Sequence, residues 1–186
     1  MYSNIFIISG PSGAGEDSII EKLSAIMPIE RVITTTTRAM REGESQGHPY
    51  YFISQEEFQN GINEEKFAEY AQQYNDNFYG VTREELNRAA QTGKTALWKI
   101  EYQGVMSVKK ILPKIKSIFI TVSSLDVLTE RLRHRGGATE IHIAERMKYT
   151  QEWMKHTDIY DYTVVNEQGK LDEAVEKVRS IIQQGK

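Results

Sequence analysis

The chain contains no cysteine, which excludes a disulfide framework, a thiolate zinc site, an iron–sulfur cluster and a thiol nucleophile. A reducing compartment fits that absence. Nor is there an excess of charge of one sign: 23 Lys and Arg stand against 26 Asp and Glu, a net charge of -3, so no global field exists to capture nucleic acid or an anionic membrane. Any polyanion must be held by a local basic cluster. Long apolar runs are missing too. The longest near the N-terminus, Ile5-Phe6-Ile7-Ile8, is too short for a signal-peptide core or a membrane span, and the expectation is a soluble, unexported, cytoplasmic protein. With 186 residues and no internal repeat, low-complexity tract or long linker, the length suits one large domain, or one domain with a small insertion.

What is present alternates between strand and helix. Ile5 to Ile8 is β-branched and aromatic, stops at Ser9-Gly10-Pro11-Ser12-Gly13-Ala14-Gly15, and is followed by Ile19, Ile20, Leu23, Ile26 and Met27 at helical spacing. Thr95 to Ile100 and Ser117 to Val122 read as strands around an amphipathic helix marked by Val105, Val108, Ile111 and Leu112. Such alternation predicts a parallel sheet. Leu125, Leu128 and Leu132 mark a further helix, which runs into a polar stretch, Arg133 to Glu140, where Gly136-Gly137 offers a hinge for a lid. Tyr162 to Val165 is a last strand, and Leu171, Ala174, Val175, Val178, Ile181 and Ile182 form one face of a closing helix. Residues 31–81 behave differently, with β-rich pieces at Val32 to Thr37, Tyr50 to Ile53 and Phe67 to Tyr74 around a short helix introduced by the capping box Ser54-Gln55-Glu56-Glu57. This segment reads as an inserted subdomain.

A glycine-rich turn between a buried strand and a helix lets successive backbone N–H groups converge on phosphate oxygens, with the helix dipole adding favourable potential. Gly10-Pro11-Ser12-Gly13-Ala14-Gly15 has that form. The usual pattern G-x-x-x-x-G-K-[ST] continues with a lysine for the β- and γ-phosphates and a hydroxyl for magnesium, whereas this chain continues with Glu16 and Asp17. A turn that merely joins strand to helix is the plain alternative.

Beyond the loop, the segments ISGPSGAG, TTTTRAMREGESQGHPYYF, FAEYAQ, FYG, QGV, RLRHRG to ERM, and VVN occur in this order along nearly the whole chain. In them the sequence resembles the guanylate kinases, P-loop kinases that move a phosphoryl group from ATP to GMP. The resemblance implies an α/β, P-loop NTPase-type three-layer fold with a parallel core sheet (1–30, 82–124 and 147–186), an inserted nucleoside-monophosphate-binding subdomain (31–81) and a lid (125–146). It implies that Arg38, Arg41, Tyr50 and Tyr79 hold the acceptor phosphate, a task that suits the planar, permanently charged fork of arginine. Glu69 would accept the N1–H and N2–H of guanine, with Thr34 where a serine hydroxyl usually meets the base and Glu101 among the acceptor-side residues. Ser12, Gly13, Ala14, Gly15, Glu16, Asp17 and Ser18 would line the ATP phosphates, Arg131, Arg135 and Arg146 fall on the lid arginines, and Asn166 lies where the adenine ring is usually held. ATP with Mg2+, and GMP or dGMP, are the implied small molecules; no nucleic acid or membrane partner is implied, and the chain would act as a monomer or homodimer.

The sequence departs from the family pattern in the loop and at three further positions. Val81 stands where a serine hydroxyl normally meets the base, and Met40 replaces a proline. Lys99 occupies the place of an aspartate at the end of the strand beside the loop. Lysine to Glu16 changes the local charge by two units, and a unit pair at 4 Å is worth about 4 kcal/mol at an effective dielectric of 20. Aspartate to Lys99 makes the opposite change, as though the lysine had moved. On that reading Lys99 reaches the phosphates while Glu16, Asp17 and Glu101 supply oxygen donors for magnesium, Asp17 foremost. The alternative is a structural ion pair of Lys99 with Glu16 in a catalytically dead domain that binds a nucleotide or a phosphopeptide.

Overall fold

The computed structural model describes residues 2–72, 76–134 and 139–185. Its centre is a five-stranded parallel sheet in the order β2-β7-β1-β8-β9, built from β1 (Ile5–Ser9), β2 (Ile29–Arg31), β7 (Thr95–Lys99), β8 (Lys116–Thr121) and β9 (Tyr162–Val165). Every residue of β1 is buried, and the side chains alternate between two cores as the pleat requires. Phe6 and Ile8 point into one core with Ile19, Ile20 and Leu23 of α1 (Glu16–Ile26) and Val175, Val178 and Ile182 of α7 (Leu171–Gln184). Ile5 and Ile7 point into the other, with Leu86 of α3 (Arg83–Gln91), Val105 and Val108 of α4 (Tyr102–Ile111), and Trp98. Helices therefore cover both faces in three layers, as expected of a P-loop NTPase-type fold. No helix among the described residues is long and apolar enough to cross a membrane.

The insertion is a four-stranded mixed sheet in the order β4-β3-β6-β5, made of β3 (Thr34–Thr36), β4 (Tyr50–Phe52), β5 (Phe67–Gln72) and β6 (Phe78–Thr82), with α2 (Gln55–Asn63) packed on it. The expected capping box forms: the Ser54 Oγ accepts from the Glu57 N–H at 3.1 Å, and the Ser54 N–H donates to Glu57 Oε2 at 2.7 Å. Phe58 stacks on Phe67 and Phe78, with ring centroids at 4.2 and 5.3 Å, giving this sheet a small core of its own.

The piece expected as one strand over Val32 to Thr37 is divided between two sheets. β2 ends in the core sheet, where Arg31 pairs with Leu97 and the Val32 N–H donates to the Leu97 carbonyl at 3.0 Å. One residue later the Ile33 N–H donates to Glu85 Oε1 at 2.8 Å, and the chain enters the insertion. Glu85 is buried, and Arg88 satisfies it from the next turn of α3 at 2.8 Å. At the other margin, the strand expected over Phe67 to Tyr74 ends at Gln72 within the described residues, and Tyr74 lies outside them. The hinge glycines Gly136 and Gly137 also lie outside the described residues. On either side of them are α5 (Leu125–His134) and α6 (Glu140–Trp153), the latter followed by a 3-10 segment, Met154–Ile159.

Candidate active site

β1 sits at the middle of its sheet and delivers the loop between α1 and the carboxyl ends of its neighbours. Gly10 is packed so closely that a Cβ there would lie 2.4 Å from the Ile120 carbonyl oxygen, so no larger residue fits. Gly15, at φ 98°, is the N-cap of α1 in a left-handed conformation. The loop is held from outside by two residues of the sequence-derived set. Asn166, buried at 4 % exposure, donates from Nδ2 to the Ala14 carbonyl at 2.7 Å. The Arg131 guanidinium donates to the Gly13 carbonyl at 3.2 Å and to the Asn166 carbonyl at 2.9 Å. Both side chains brace the loop's carbonyl side, leaving its amides to point elsewhere. Arg146 reaches the loop from α6, donating to Ser12 Oγ at 2.8 Å. Arg135 lies outside the described residues.

Glu16 and Asp17 open α1, where the helix dipole favours negative charge. The Glu16 side chain folds over the loop, close enough that a Cβ on Gly10 would lie 3.3 Å from its carboxyl carbon. Burial pushes the Glu16 carboxyl up to about 7, although Lys99 and the Glu16 and Gly15 amides favour its charged form. Lys99 ends β7 directly beside Ile8 of β1. Its Nζ donates to Asp17 Oδ2 at 2.6 Å, so the ion pair expected with Glu16 forms with the next residue instead. Successive helical residues point about 100° apart, and it is Asp17 that faces β7. Partial burial works against the Lys99 ammonium, but Asp17 and then Glu16 outweigh it and hold the group above its ordinary value. Arg31, which sequence reasoning passed over, approaches Asp17 Oδ1 to 3.9 Å. A cleft of about 440 Å3 opens beside Gly13, Gly15, Glu16 and Asp17, walled on its far side by Arg131, Asn166, Glu167, Gly169 and Leu171.

The insertion presents a second cluster. Arg38 lies 5.4 Å from the ring centroids of both Tyr50 and Phe52, and Tyr50 meets Tyr79 edge-on at 5.9 Å. Glu44, another residue not anticipated, grips Arg38 with both oxygens at 2.7 and 2.9 Å and accepts from the Arg41 N–H at 2.8 Å. The Arg38 hydrogen bonds hold the Glu44 carboxyl below the usual carboxylate range. The Arg41 guanidinium has no hydrogen bond or ion pair among the described residues. Thr34 pairs with Tyr50 across β3 and β4. Burial pushes the Tyr50 hydroxyl up, and the next contribution to its environment comes from Lys99, which places this cluster within electrostatic reach of the loop.

Glu69, on β5, is 7 % exposed, and its carboxyl has no hydrogen bond among the described residues. Burial, and secondarily the charge of Glu101, pushes its carboxyl up to about 7. Gly104 of α4 makes room for it: a Cβ there would come within 2.9 Å of Glu69 Oε1. Val81, opposite Glu69 in the β5–β6 ladder, is fully buried in the core that contains Trp98 and Tyr102. The structure thus uses Val81 as packing, because an aliphatic side chain there has no polar contact to offer.

A glycine loop between the central strand of a parallel sheet and a helix N-terminus, with a second sheet inserted in the chain, defines a protein of the P-loop NTPase-type fold. The Guanylate kinase family model matches residues 2–185. A relative named guanylate kinase from Buchnera aphidicola subsp. Schizaphis graminum is 39% identical over 181 residues, covering 96% of this chain and 86% of its own. One from Synechocystis sp. is 38% identical over 179 residues, covering 96% and 92%. Among solved structures, a guanylate kinase from Anaplasma phagocytophilum superimposes with a TM-score of 0.75 at 29% identity, over 97% of this chain and 84% of that one. The chain belongs to the guanylate kinase family.

Proposed function

We propose that the chain transfers the γ-phosphoryl group of ATP to GMP or dGMP, within a core of residues 1–30, 82–124 and 147–186, an acceptor insertion of 31–81 and a lid of 125–146. The observation that carries this reading is Glu69: a buried carboxyl with no hydrogen-bond partner among the described residues, set against Gly104 of α4 and within reach of the Glu101 charge. Guanine offers two adjacent N–H donors that a carboxylate matches, and adenine does not. Thr34 and Glu101 complete the base side. Arg38, Arg41, Tyr50 and Tyr79 take the acceptor phosphate, with Arg38 already oriented by Glu44.

On the donor side, the amides from Ser12 to Ser18, apart from that of Ala14, which donates to the Pro11 carbonyl at 2.9 Å, take the ATP phosphates, and the 440 Å3 cleft takes the nucleoside end, walled by Arg131 and Asn166. Lys99 supplies the cation that Glu16 does not. Arg146, at Ser12, and Arg135 add positive charge from the lid side. Among the described residues no three acidic or histidine side chains form a metal cage, but magnesium at a nucleotide keeps several waters and needs only one or two carboxylates. Asp17 fits that demand, since Lys99 takes Oδ2 while Oδ1 has only the 3.9 Å approach of Arg31. When bound there, the ion offsets charge on the phosphates. Catalysis rests on alignment and positive charge, with no side-chain nucleophile. A cytoplasmic monomer or homodimer, with no nucleic-acid or membrane partner, fits the composition.

A coupled assay with ATP, magnesium and each nucleoside monophosphate tests the reading. Turnover of GMP or dGMP well above that of AMP, CMP, UMP or dTMP is expected. No turnover with any of them, or a preference for AMP or dTMP, would overturn it.

A further inference from the structure

Helix α6 carries three polar contacts on one face, at positions 146, 149 and 153, spaced as neighbours along a helix. Arg146 reaches Ser12 at 2.8 Å. Trp153 Nε1 donates to the Tyr160 hydroxyl at 2.9 Å, Tyr160 lies 2.9 Å from Ser9 Oγ, and Ser9 Oγ donates to the Ile100 carbonyl at 2.6 Å. Only one direction satisfies this chain: Ser9 uses its single proton on Ile100, so Tyr160 donates to Ser9 and accepts from Trp153. The helix is thereby tied both to the loop and to the turn between β7 and α4. Between these anchors, the Tyr149 hydroxyl donates to Glu101 Oε2 at 2.7 Å.

Glu101 is the N-cap of α4, yet its side chain makes no capping hydrogen bond. Its carboxylate is turned to Tyr149 instead, which occupies Oε2 and leaves Oε1 without a hydrogen bond among the described residues. The Tyr149 ring is 36 % exposed and packs on one side only, 5.6 Å from Tyr102 and 5.9 Å from Trp153. Glu101 also acts electrostatically on Glu69. Two carboxyls within mutual reach, one of them buried, repel each other when both are charged, and an unrestrained Glu101 could turn away. A fixed donor on one oxygen holds it in place.

We infer that Tyr149 is a positioning residue for base recognition: from the lid-side helix it orients Glu101 so that Glu69 and Glu101 together receive the N–H donors of the acceptor base. The inference rests on the proposed guanine site and adds to it a residue that touches no ligand. Burial and Glu101 push the Tyr149 hydroxyl well above its ordinary value, so it keeps its proton and remains a donor.

Calorimetric titration of the whole chain with GMP, and separately with ADP, tests this in wild type, Tyr149→Phe, Glu101→Gln and the double variant. Tyr149→Phe should weaken GMP binding about three- to tenfold, the range of one lost hydrogen bond, and leave ADP binding unchanged. In the Glu101→Gln background, removing the hydroxyl should have no further effect on GMP, because Tyr149 acts through that carboxylate. A thermal midpoint equal to that of wild type separates positioning from damage to the fold. Unchanged GMP affinity, equal losses for GMP and ADP, or additive effects in the double variant would overturn the inference and leave the guanine site standing. A wild-type chain that binds no GMP would overturn both.

Discussion

Two glutamates, one on each side of the site, have carboxyls pushed up to about 7, and they reach that value in different company. Glu16, at the phosphate loop, is half-buried and attended by Lys99 and by the Gly15 and Glu16 amides, all of which favour its charge. Glu69, in the insertion, is buried with a second carboxylate, Glu101, as its neighbour and no hydrogen bond to its carboxyl among the described residues. The donor side is thus a set of positive groups already engaged by a carboxylate of the chain itself. The acceptor side is a carboxylate still without donors. An anion arriving at the first must compete with Glu16 and Asp17 for amides and ammonium, whereas a base arriving at the second brings what Glu69 lacks.

The largest expected effect comes from removing the donor-side cation. Lys99→Met should lower turnover about a hundred- to a thousandfold, the cost of one preorganised charge aimed at the transferring group, with GMP affinity unchanged. Glu16→Lys combined with Lys99→Asp should recover activity over either single change, as expected of groups sharing one site. Full activity in Lys99→Met, or additive effects across the four proteins, would break the comparison by showing that the donor side does not depend on this lysine.

The two arginines of the insertion sharpen the contrast from the other side. Arg38→Met and Arg41→Met should each raise the KM for GMP at least about tenfold, since charge-assisted hydrogen bonds contribute about 1.5 to 3 kcal/mol. Only Arg38→Met should also lower the thermal midpoint, because it takes the Nη2 donor from both Glu44 oxygens, while the Arg41 guanidinium has no hydrogen bond or ion pair among the described residues to lose. Equal thermal midpoints would show that the Arg38–Glu44 pair does not stabilise the insertion.

Smaller and opposite effects follow from pH. Glu69 must be ionised to accept guanine donors, so GMP affinity should rise with pH up to about 7 and then level off, by at most about tenfold per unit. Ionised Glu16 repels phosphate, so ATP affinity should fall as pH rises through about 7. Comparing each profile with that of Glu69→Gln or Glu16→Gln cancels the titration of the ligand, and profiles that the variants do not flatten would refute the assignment.

Stability should show the smallest effect. Both carboxyls hold their protons more tightly folded than unfolded, so between about 4.5 and about 7 the folded chain binds more protons and stability falls as pH rises. In either Gln variant the thermal midpoint should fall less across that window, by a few degrees.

The core sheet was legible because β1, β7 and β8 are short apolar runs and the helices after them keep a regular apolar spacing. Other elements were hidden by their surroundings. β6 is five residues with a glycine at its centre, and becomes a strand only between β3 and β5. α3 buries Leu86 and Ala89 but is otherwise rich in charge, and one of those charges, Glu85, is buried for Arg88 and Ile33. Within the site, residue types and order brought Lys99 beside the loop, but which of two adjacent carboxylates it meets depends on how α1 is rotated against β7. The family resemblance put Arg131 and Asn166 on the ligand side, and what the structure shows of them is a brace on the loop's carbonyls. Glu44 and Tyr149 gave no sequence signal, since an acid in a polar turn and a tyrosine on a charged helix look like surface.

β1 is made well before both its partners in the sheet: Ile5 lies beside Ala96, and Phe6 beside Lys116. The loop that follows it waits longer still, since Gly10 packs on Ile120 and the Ala14 carbonyl is claimed by Asn166. During synthesis the glycine loop therefore emerges well ahead of its brace, since the Ala14 carbonyl meets Asn166 only when a further 152 residues have been made. Contacts of such long sequence separation form slowly. A chain interrupted before residue 166 would contain every glycine of the loop and still lack the Asn166 half of the brace on its carbonyls.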